Sequence, residues 1–412
     1  MRRGYLSEYF EKVAAKTLSA VEADASCSNQ HEFNGVGKLK EIFGDGKEKQ
    51  TFPARFIYLD DADDQAVIDD GFVTWYDARA KSADRTGRTE HRLYFPTTAV
   101  SQVASAGDLL VIARRTTGEI LVLVAEGGST IASQLQWLFG LSDLAHPGFS
   151  VRGELESEQD RIGFAARVVL ESIGVETEET EESFLDEMLR LFGGRFPVTR
   201  SFSDYARGTL PDISPHDGAD AALVAWMDRE EILFRTLERH LVADRLAKGF
   251  SATSGTADVD GFIEFSLSVQ NRRKSRVGFA LENHLEQVFL SRGIRYARGQ
   301  ATENKSKPDF LFPGITEYRD AAFPSGRLTM LGSKSTCKDR WRQVLAEADR
   351  IATKHLFTIE AAISEPQTSE MQAKSLQLVL PRQLHSTYTP AQRAWLMDLE
   401  GFIGLVAARQ VA

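Results

Sequence analysis

From Glu176 to Glu182 the chain runs Glu-Thr-Glu-Glu-Thr-Glu-Glu, five carboxylates in seven residues, and the sequence changes character across this run. Like charges at that density repel one another and resist burial, which favours an extended, solvated segment. Carboxylates also suit the start of a helix, and Phe184, Leu185, Met188, Leu189 and Leu191 follow at helical spacing. We place an acidic linker at residues 175–183, with one domain at 1–174 and another at 184–412. A length of 412 residues is compatible with more than one core.

Upstream of the linker, short apolar stretches at 52–59, 71–76, 92–95, 109–113 and 119–125, set off by Gly, Pro and Asp, predict strands. Helical spacing is expected at 8–23, 35–43 and 131–139, so the first domain reads as a small mainly-β barrel or sandwich. Downstream, helices are expected at 219–248, 277–292, 339–353 and from 390 to about 408. Strands are expected at 308–312, 327–334, 355–360 and 376–380, the alternation of an α/β layer structure.

The composition, 42% hydrophobic and 26% charged, is that of an ordinary folded protein. Two cysteines, Cys27 and Cys337, form neither a metal clip nor a secreted disulfide framework. With no apolar run of about 18 residues and no leader-like start, the expectation is a cytoplasmic chain without membrane attachment. The formal charge of −10 argues against a polyanionic partner until it is divided by segment. Residues 269–345 hold 15 basic and 7 acidic side chains, a local excess of +8, while 151–190 hold 4 basic and 12 acidic.

The basic segment also holds the chemistry. Asp309 opens the apolar stretch Phe310-Leu311-Phe312, Lys334 ends the next expected strand, and Glu347 falls on the helix expected after it. Converging at one sheet edge, these suit metal-assisted phosphodiester hydrolysis: carboxylate oxygens hold Mg²⁺, and a lysine positions the nucleophile or stabilises the transition state. Glu282 and Glu286, at i,i+4 on one helix face, are within reach of the same site. The same spacing also suits a turn cap at Asp309, a solvated Lys334 and a surface-paired Glu347. Lys338-Asp339-Arg340, followed by Arg342, offers donors and acceptors for G·C pairs in the major groove, and equally the first turn of a capped helix. Arg272, Arg273, Lys274 and Arg276 would contact phosphates ahead of helix 277–292, or form a solvated face.

At Ser268-Val269-Gln270-Asn271-Arg272-Arg273-Lys274-Ser275-Arg276, at Lys307-Pro308-Asp309-Phe310-Leu311-Phe312-Pro313 and above all at Ser335-Thr336-Cys337-Lys338-Asp339-Arg340-Trp341-Arg342-Gln343, the chain resembles the EcoRII family of type IIE restriction endonucleases, within the PD-(D/E)XK nuclease superfamily. The similarity runs from about Arg195 to the C-terminus. It implies Asp309 as metal-binding aspartate, Lys334 as catalytic lysine, Glu347 as second carboxylate and metal ligand, and Glu282 as a further acidic contributor. Lys338, Asp339 and Arg340 would read a CCWGG or CCNGG site cut by a homodimer built through the C-terminal domain. Where the superfamily carries an acid two residues before the lysine, this chain has Gly332. The N-terminal part resembles the family's effector domain, a DNA-binding pseudobarrel, with one arm at 28–34 and another at 85–92. By that likeness His31, Arg88, Glu90, His91 and Arg92 face DNA.

The implied architecture is multidomain: an N-terminal mainly-β DNA-binding pseudobarrel followed by a C-terminal α/β restriction-endonuclease-like domain. Double-stranded DNA is the expected partner, Mg²⁺ the cofactor, and a cognate cytosine methyltransferase the genetic partner. A DNA-binding regulator with an inactive nuclease core is the alternative. A recombinase-like use of Tyr318 as covalent nucleophile is a third.

Overall fold

The computed structural model describes residues 2, 4–23, 31–62, 66–80, 89–141, 144, 148–177, 182–251, 256–337 and 340–411. Two compact units divide the chain: residues 1–177 with 361–368, and residues 178–360 with 369–412.

The first unit is built on eight strands: β1 (Phe10–Thr17), β2 (Glu32–Phe33), β3 (Gln50–Leu59), β4 (Val67–Asp77), β5 (His91–Tyr94), β6 (Leu109–Arg115), β7 (Ile120–Ala125) and β8 (Ser150–Arg152). They form one sheet in the order β2-β5-β4-β3-β7-β6-β1-β8. Side chains alternate across a strand, and here both faces are covered. Ile57, Val111, Leu121 and Leu123 enter one core, and Phe56, Leu110, Ile112 and Val122 enter another. Helices α1 (Thr130–Leu138) and α2 (Phe164–Ser172) contribute Leu135, Val169 and Leu170 to the first of these cores.

The helix expected over 8–23 is not formed. That stretch holds β1, paired antiparallel to both β6 and β8. Val13 and Ala15 pack into one core and Ala14 into the other, so burial on both sides removes the polar alternation that marks a strand. Pairing outweighs the helix preference of its alanines.

The second unit opens with helices α3 (Leu185–Phe192), α4 (Thr199–Gly208), α5 (Ala219–Lys248) and α6 (Val259–Ser291). Met188, Phe202, Ala206, Leu233, Phe234 and Leu237 form their shared core. A mixed sheet follows, with β9 (Ala297–Arg298), β10 (Phe310–Phe312), β11 (Thr329–Lys334), β12 (Lys354–Thr358) and β13 (Leu376–Val379) in the order β13-β12-β11-β10-β9. The β9, β10 and β11 strands are antiparallel, while β11, β12 and β13 run parallel. Phe289 of α6 sits edge-on to Phe310 and Phe312, with ring centroids 5.2 Å from each. Phe402, on the C-terminal helix α8 (Leu399–Val411), packs 5.6 Å from Phe312.

Three expected helices are redrawn, the one from 390 to about 408 into a single turn at Pro390–Arg393 and the separate helix α8. The one at 277–292 begins much earlier, at Val259, capped by the Asp258 side chain accepting from the Gly261 N–H (2.9 Å). The one at 339–353 shrinks to the single turn α7 (Trp341–Val344). The chain then bends and passes through Ala348 at a φ of 50°, which no continuing right-handed helix permits.

Candidate active site

The antiparallel register of β10 and β11 pairs Phe310 with Leu331 and Phe312 with Thr329, which brings the residue preceding β10 level with the end of β11. Asp309 accordingly reaches across the ladder: its Oδ2 accepts from the Ser333 N–H (2.6 Å) and from Lys334 Nζ (3.1 Å). Both partners hold the carboxylate in one direction, and neither charged head is fully buried.

Glu347 completes the cluster from the bend after α7. Burial pushes its carboxyl up to about 7, and the nearby Asp309 charge adds to the shift against the opposing pull of Lys334 and Lys354. Its Oε2 is buried without a hydrogen-bond partner. Glu282 of α6 is also raised, by burial and then by Asp309, with Arg298 opposing. Three carboxylates thus crowd one lysine.

The acid expected two residues before Lys334 is sterically shut out. A Cβ on Gly332 would stand 2.8 Å from Val344 Cγ2 and 3.1 Å from its Cγ1, so α7 occupies the space that such a side chain needs. The helix that closes this position delivers Glu347 shortly afterwards.

Two cations not singled out in the sequence organise these acids. Arg298, in β9 opposite Phe310, donates to Glu282 Oε2 (2.9 Å), Glu286 Oε2 (2.7 Å) and Asn283 Oδ1 (3.0 Å). Glu286 also receives Tyr296 Oη (3.0 Å) and Arg200, so both of its oxygens are engaged. Lys354 is 6% exposed and its Nζ donates to the Ala348 carbonyl (2.5 Å), fixing the left-handed residue beside Glu347. The visible signal for Arg298 was the acid pair at i,i+4, because two half-buried carboxylates on one face need a cation between them. Lys354, at the start of a buried strand, left no comparable signal.

The basic stretch 271–276 lies inside α6, not ahead of a helix. Arg276, expected at phosphate, is 4% exposed and pairs with Glu230 (3.4 Å) and Glu231. Arg273 donates to Glu238 Oε2 (2.7 Å), and Arg272 lies 4.1 Å over the Phe196 ring. Lys274 is exposed. Near Arg276, Arg207 donates to His284 Nδ1 (2.9 Å), which leaves the imidazole proton on Nε2, 3.0 Å from Glu230 Oε2. In the reading segment Lys338 and Asp339 lie outside the described residues. Arg340 is exposed, and Arg342 pairs with Glu370 (2.7 Å). Tyr318 is 2% exposed with its hydroxyl donating to Glu303 Oε2 (2.5 Å), and both burial and that acid raise its pKa, so it is no nucleophile.

In the first unit, Arg92 bridges Glu32 (3.2 Å) and Glu90 (2.8 Å), and Glu90 also takes Arg79 (2.6 Å). His91 stacks on Trp75 with ring centroids 5.0 Å apart. His31 Nε2 lies 3.3 Å from Thr97 Oγ1. Glu90, His91 and Arg92 lie at the start of β5, and His31 lies beside its other end, where the His31 carbonyl accepts from the Phe95 N–H (2.9 Å); Arg88 lies outside the described residues, as do 28–30 and 85–87 of the two arms.

Among the described residues no three His, Cys, Asp or Glu side chains come close enough to hold a metal ion unaided. Mg²⁺ does not require such a cage, since it binds through one or two carboxylates together with waters and phosphate oxygens. The orphaned Glu347 oxygen beside Asp309 fits that requirement. No helix among the described residues is long and apolar enough to cross a membrane.

Residues 234–403 match the family model described as EcoRII C terminal. Over 181 residues the chain is 46% identical to the type II restriction enzyme EcoRII of Escherichia coli, covering 43% of this chain and 43% of that relative. The match thus spans less than half the length of either protein. The C-terminal resemblance read from the sequence is the one these comparisons return. Two solved structures overlap more loosely. Metal-depleted Ecl18kI in complex with uncleaved, modified DNA gives 17% identity and a TM-score of 0.44, covering 55% of this chain and 83% of its own. A restriction endonuclease PspGI–substrate DNA complex gives 13% identity and a TM-score of 0.43, covering 52% and 93%.

Proposed function

From the match of residues 234–403 to the EcoRII C-terminal family, we propose that this chain is a site-specific type II DNA endonuclease that hydrolyses phosphodiester bonds of duplex DNA at a CCWGG or CCNGG site. The observation that carries the reading is the Asp309–Lys334 contact at the β10–β11 edge, with the unpartnered Glu347 carboxylate beside it.

Asp309 and Glu347 would hold Mg²⁺, which supplies charge neutralisation at phosphate and an acidified water. Lys334, held by Asp309, presents an ammonium group where negative charge builds up on the phosphorane oxygens. Glu347, raised to about 7, ionises readily once a cation approaches. Arg298 engages Glu282 and offsets its repulsion by Asp309, so Glu282 is not a free competitor for Lys334. Lys338, Asp339 and Arg340 read the G·C pairs. The 1–174 segment is an effector domain for a second DNA site, and the working unit is a homodimer in the cytoplasm whose genetic partner is a cytosine methyltransferase.

Digestion of a plasmid with mapped CCWGG and CCSGG sites tests this reading. Fragments ending at the CCWGG sites, formed only with Mg²⁺, are expected. Site-specific retention of duplex without any nicking would favour the inactive-core regulator instead.

A further inference from the structure

The connection from β9 to β10 forms a closed tip whose base is Asp309 itself. Gly299 donates its N–H to the Asp309 carbonyl (3.1 Å), Thr302 N–H to the Ser306 carbonyl (2.8 Å), and Ser306 N–H to the Glu303 carbonyl (3.0 Å). Ser306 Oγ then donates to the carbonyl of Ala346 (3.3 Å), fastening the tip to the residue before Glu347. The tip is therefore tied to the backbone of Asp309 at its base and to the residue before Glu347 at Ser306.

Lys305 and Lys307 project from it. Both are exposed, and neither has a hydrogen bond or ion pair with any described residue. The acid within the turn is not their partner, because the Glu303 carboxylate is taken by Tyr318 Oη. This sets them apart from the arginines of the basic segment: Arg273, Arg276, Arg298 and Arg342 are each engaged by carboxylates. Lys305 is moreover held at a φ of 61°, a left-handed conformation that an ordinary side chain adopts only where its surroundings impose it. Ala348, beside Glu347, is another of the four non-glycine residues with positive φ among those described, so two of the four border one site.

We propose that Lys305 and Lys307 grip the DNA backbone at phosphates flanking the bond presented to Asp309, Lys334 and Glu347. The inference rests on the nuclease reading and extends it to the element that seats the scissile strand. Each lysine that neutralises a phosphate displaces condensed counterions, so removing one lowers the slope of log affinity against log salt by about 0.9 and weakens all sequences alike.

The test is equilibrium binding of the full chain to a CCWGG duplex and to a site-free duplex of equal length, across a salt series, with calcium replacing magnesium to prevent cleavage. Lys305→Asn is the first variant, because asparagine accepts a left-handed backbone. Lys307→Gln is the second, and Lys305→Arg and Lys307→Arg are the charge-preserving controls. The expected result is a slope reduced by about 0.9 in each neutral variant and by about 1.8 in the double, equal weakening on both duplexes, and recovery in the arginine variants. Wild-type binding with unaltered slopes in the neutral variants would overturn the placement of the two lysines. A wild-type chain that bound neither duplex would overturn the nuclease reading, and this inference with it.

Discussion

Glu347 has a carboxyl raised from the usual 4.5 to about 7 by burial and by Asp309, with no hydrogen-bond partner on Oε2. A raised folded-state pKa favours folding fully below about pH 4.5, and that contribution is lost as pH rises through about 7. Without divalent ions, Glu347→Gln therefore gains stability over the wild type across that window, by about 1–2 kcal/mol once solvent screening is allowed for. Thermal unfolding at pH 4.5 and pH 8 measures it; a difference independent of pH would contradict the stated origin. Gly332 makes the complementary point. Gly332→Ala puts a methyl 2.8 Å from Val344 Cγ2, an overpacking expected to cost about 1–3 kcal/mol, and Val344→Ala in the same chain should recover most of it. At this scale Asp309 and Lys334 were legible as types at a spacing, and antiparallel pairing accounts for their meeting. Arg298 was signalled only indirectly, by the acid pair it neutralises, and Lys354 not at all, because it serves a backbone carbonyl that only the fold brings to it.

Among elements, α6 departs furthest from the sequence expectation. A run of Asn, Arg, Arg, Lys, Ser and Arg reads as a loop or a solvated face, yet these residues lie within a helix that begins at Val259. Arg276 is driven inward by Glu230 and Glu231 of α5, and burying those acids unpaired would be costly. Arg276→Ala is therefore expected to destabilise the second unit by about 3–5 kcal/mol while leaving the salt dependence of DNA binding unchanged, as denaturant unfolding and binding titrations would show. A reduced salt slope in a fully stable variant would restore the phosphate role. The opposite failure occurred at β1, where burial of both faces hid a strand inside an apparent helix. The strands β10, β11 and β12 were legible within a few residues, because each is a short, mostly apolar run, the first opened by Asp309 and the second closed by Lys334.

Across the whole molecule, net charge was the wrong scale on which to judge a DNA partner. The −10 total conceals an excess of +8 over residues 269–345, and even there most arginines are tied to carboxylates. Few phosphate contacts and a cleavage function concentrated at one sheet edge are therefore expected. The most direct measurement is single-turnover cleavage of a CCWGG duplex with Mg²⁺ by the wild type and by Asp309→Ala, Lys334→Ala and Glu347→Ala, each paired with binding of the same duplex in calcium. All three variants should fold and the lysine variant should still bind, while cleavage falls by at least a hundredfold, about 2.7 kcal/mol of transition-state stabilisation. Cleavage at the wild-type rate by both Asp309→Ala and Lys334→Ala would contradict the assignment of the active site.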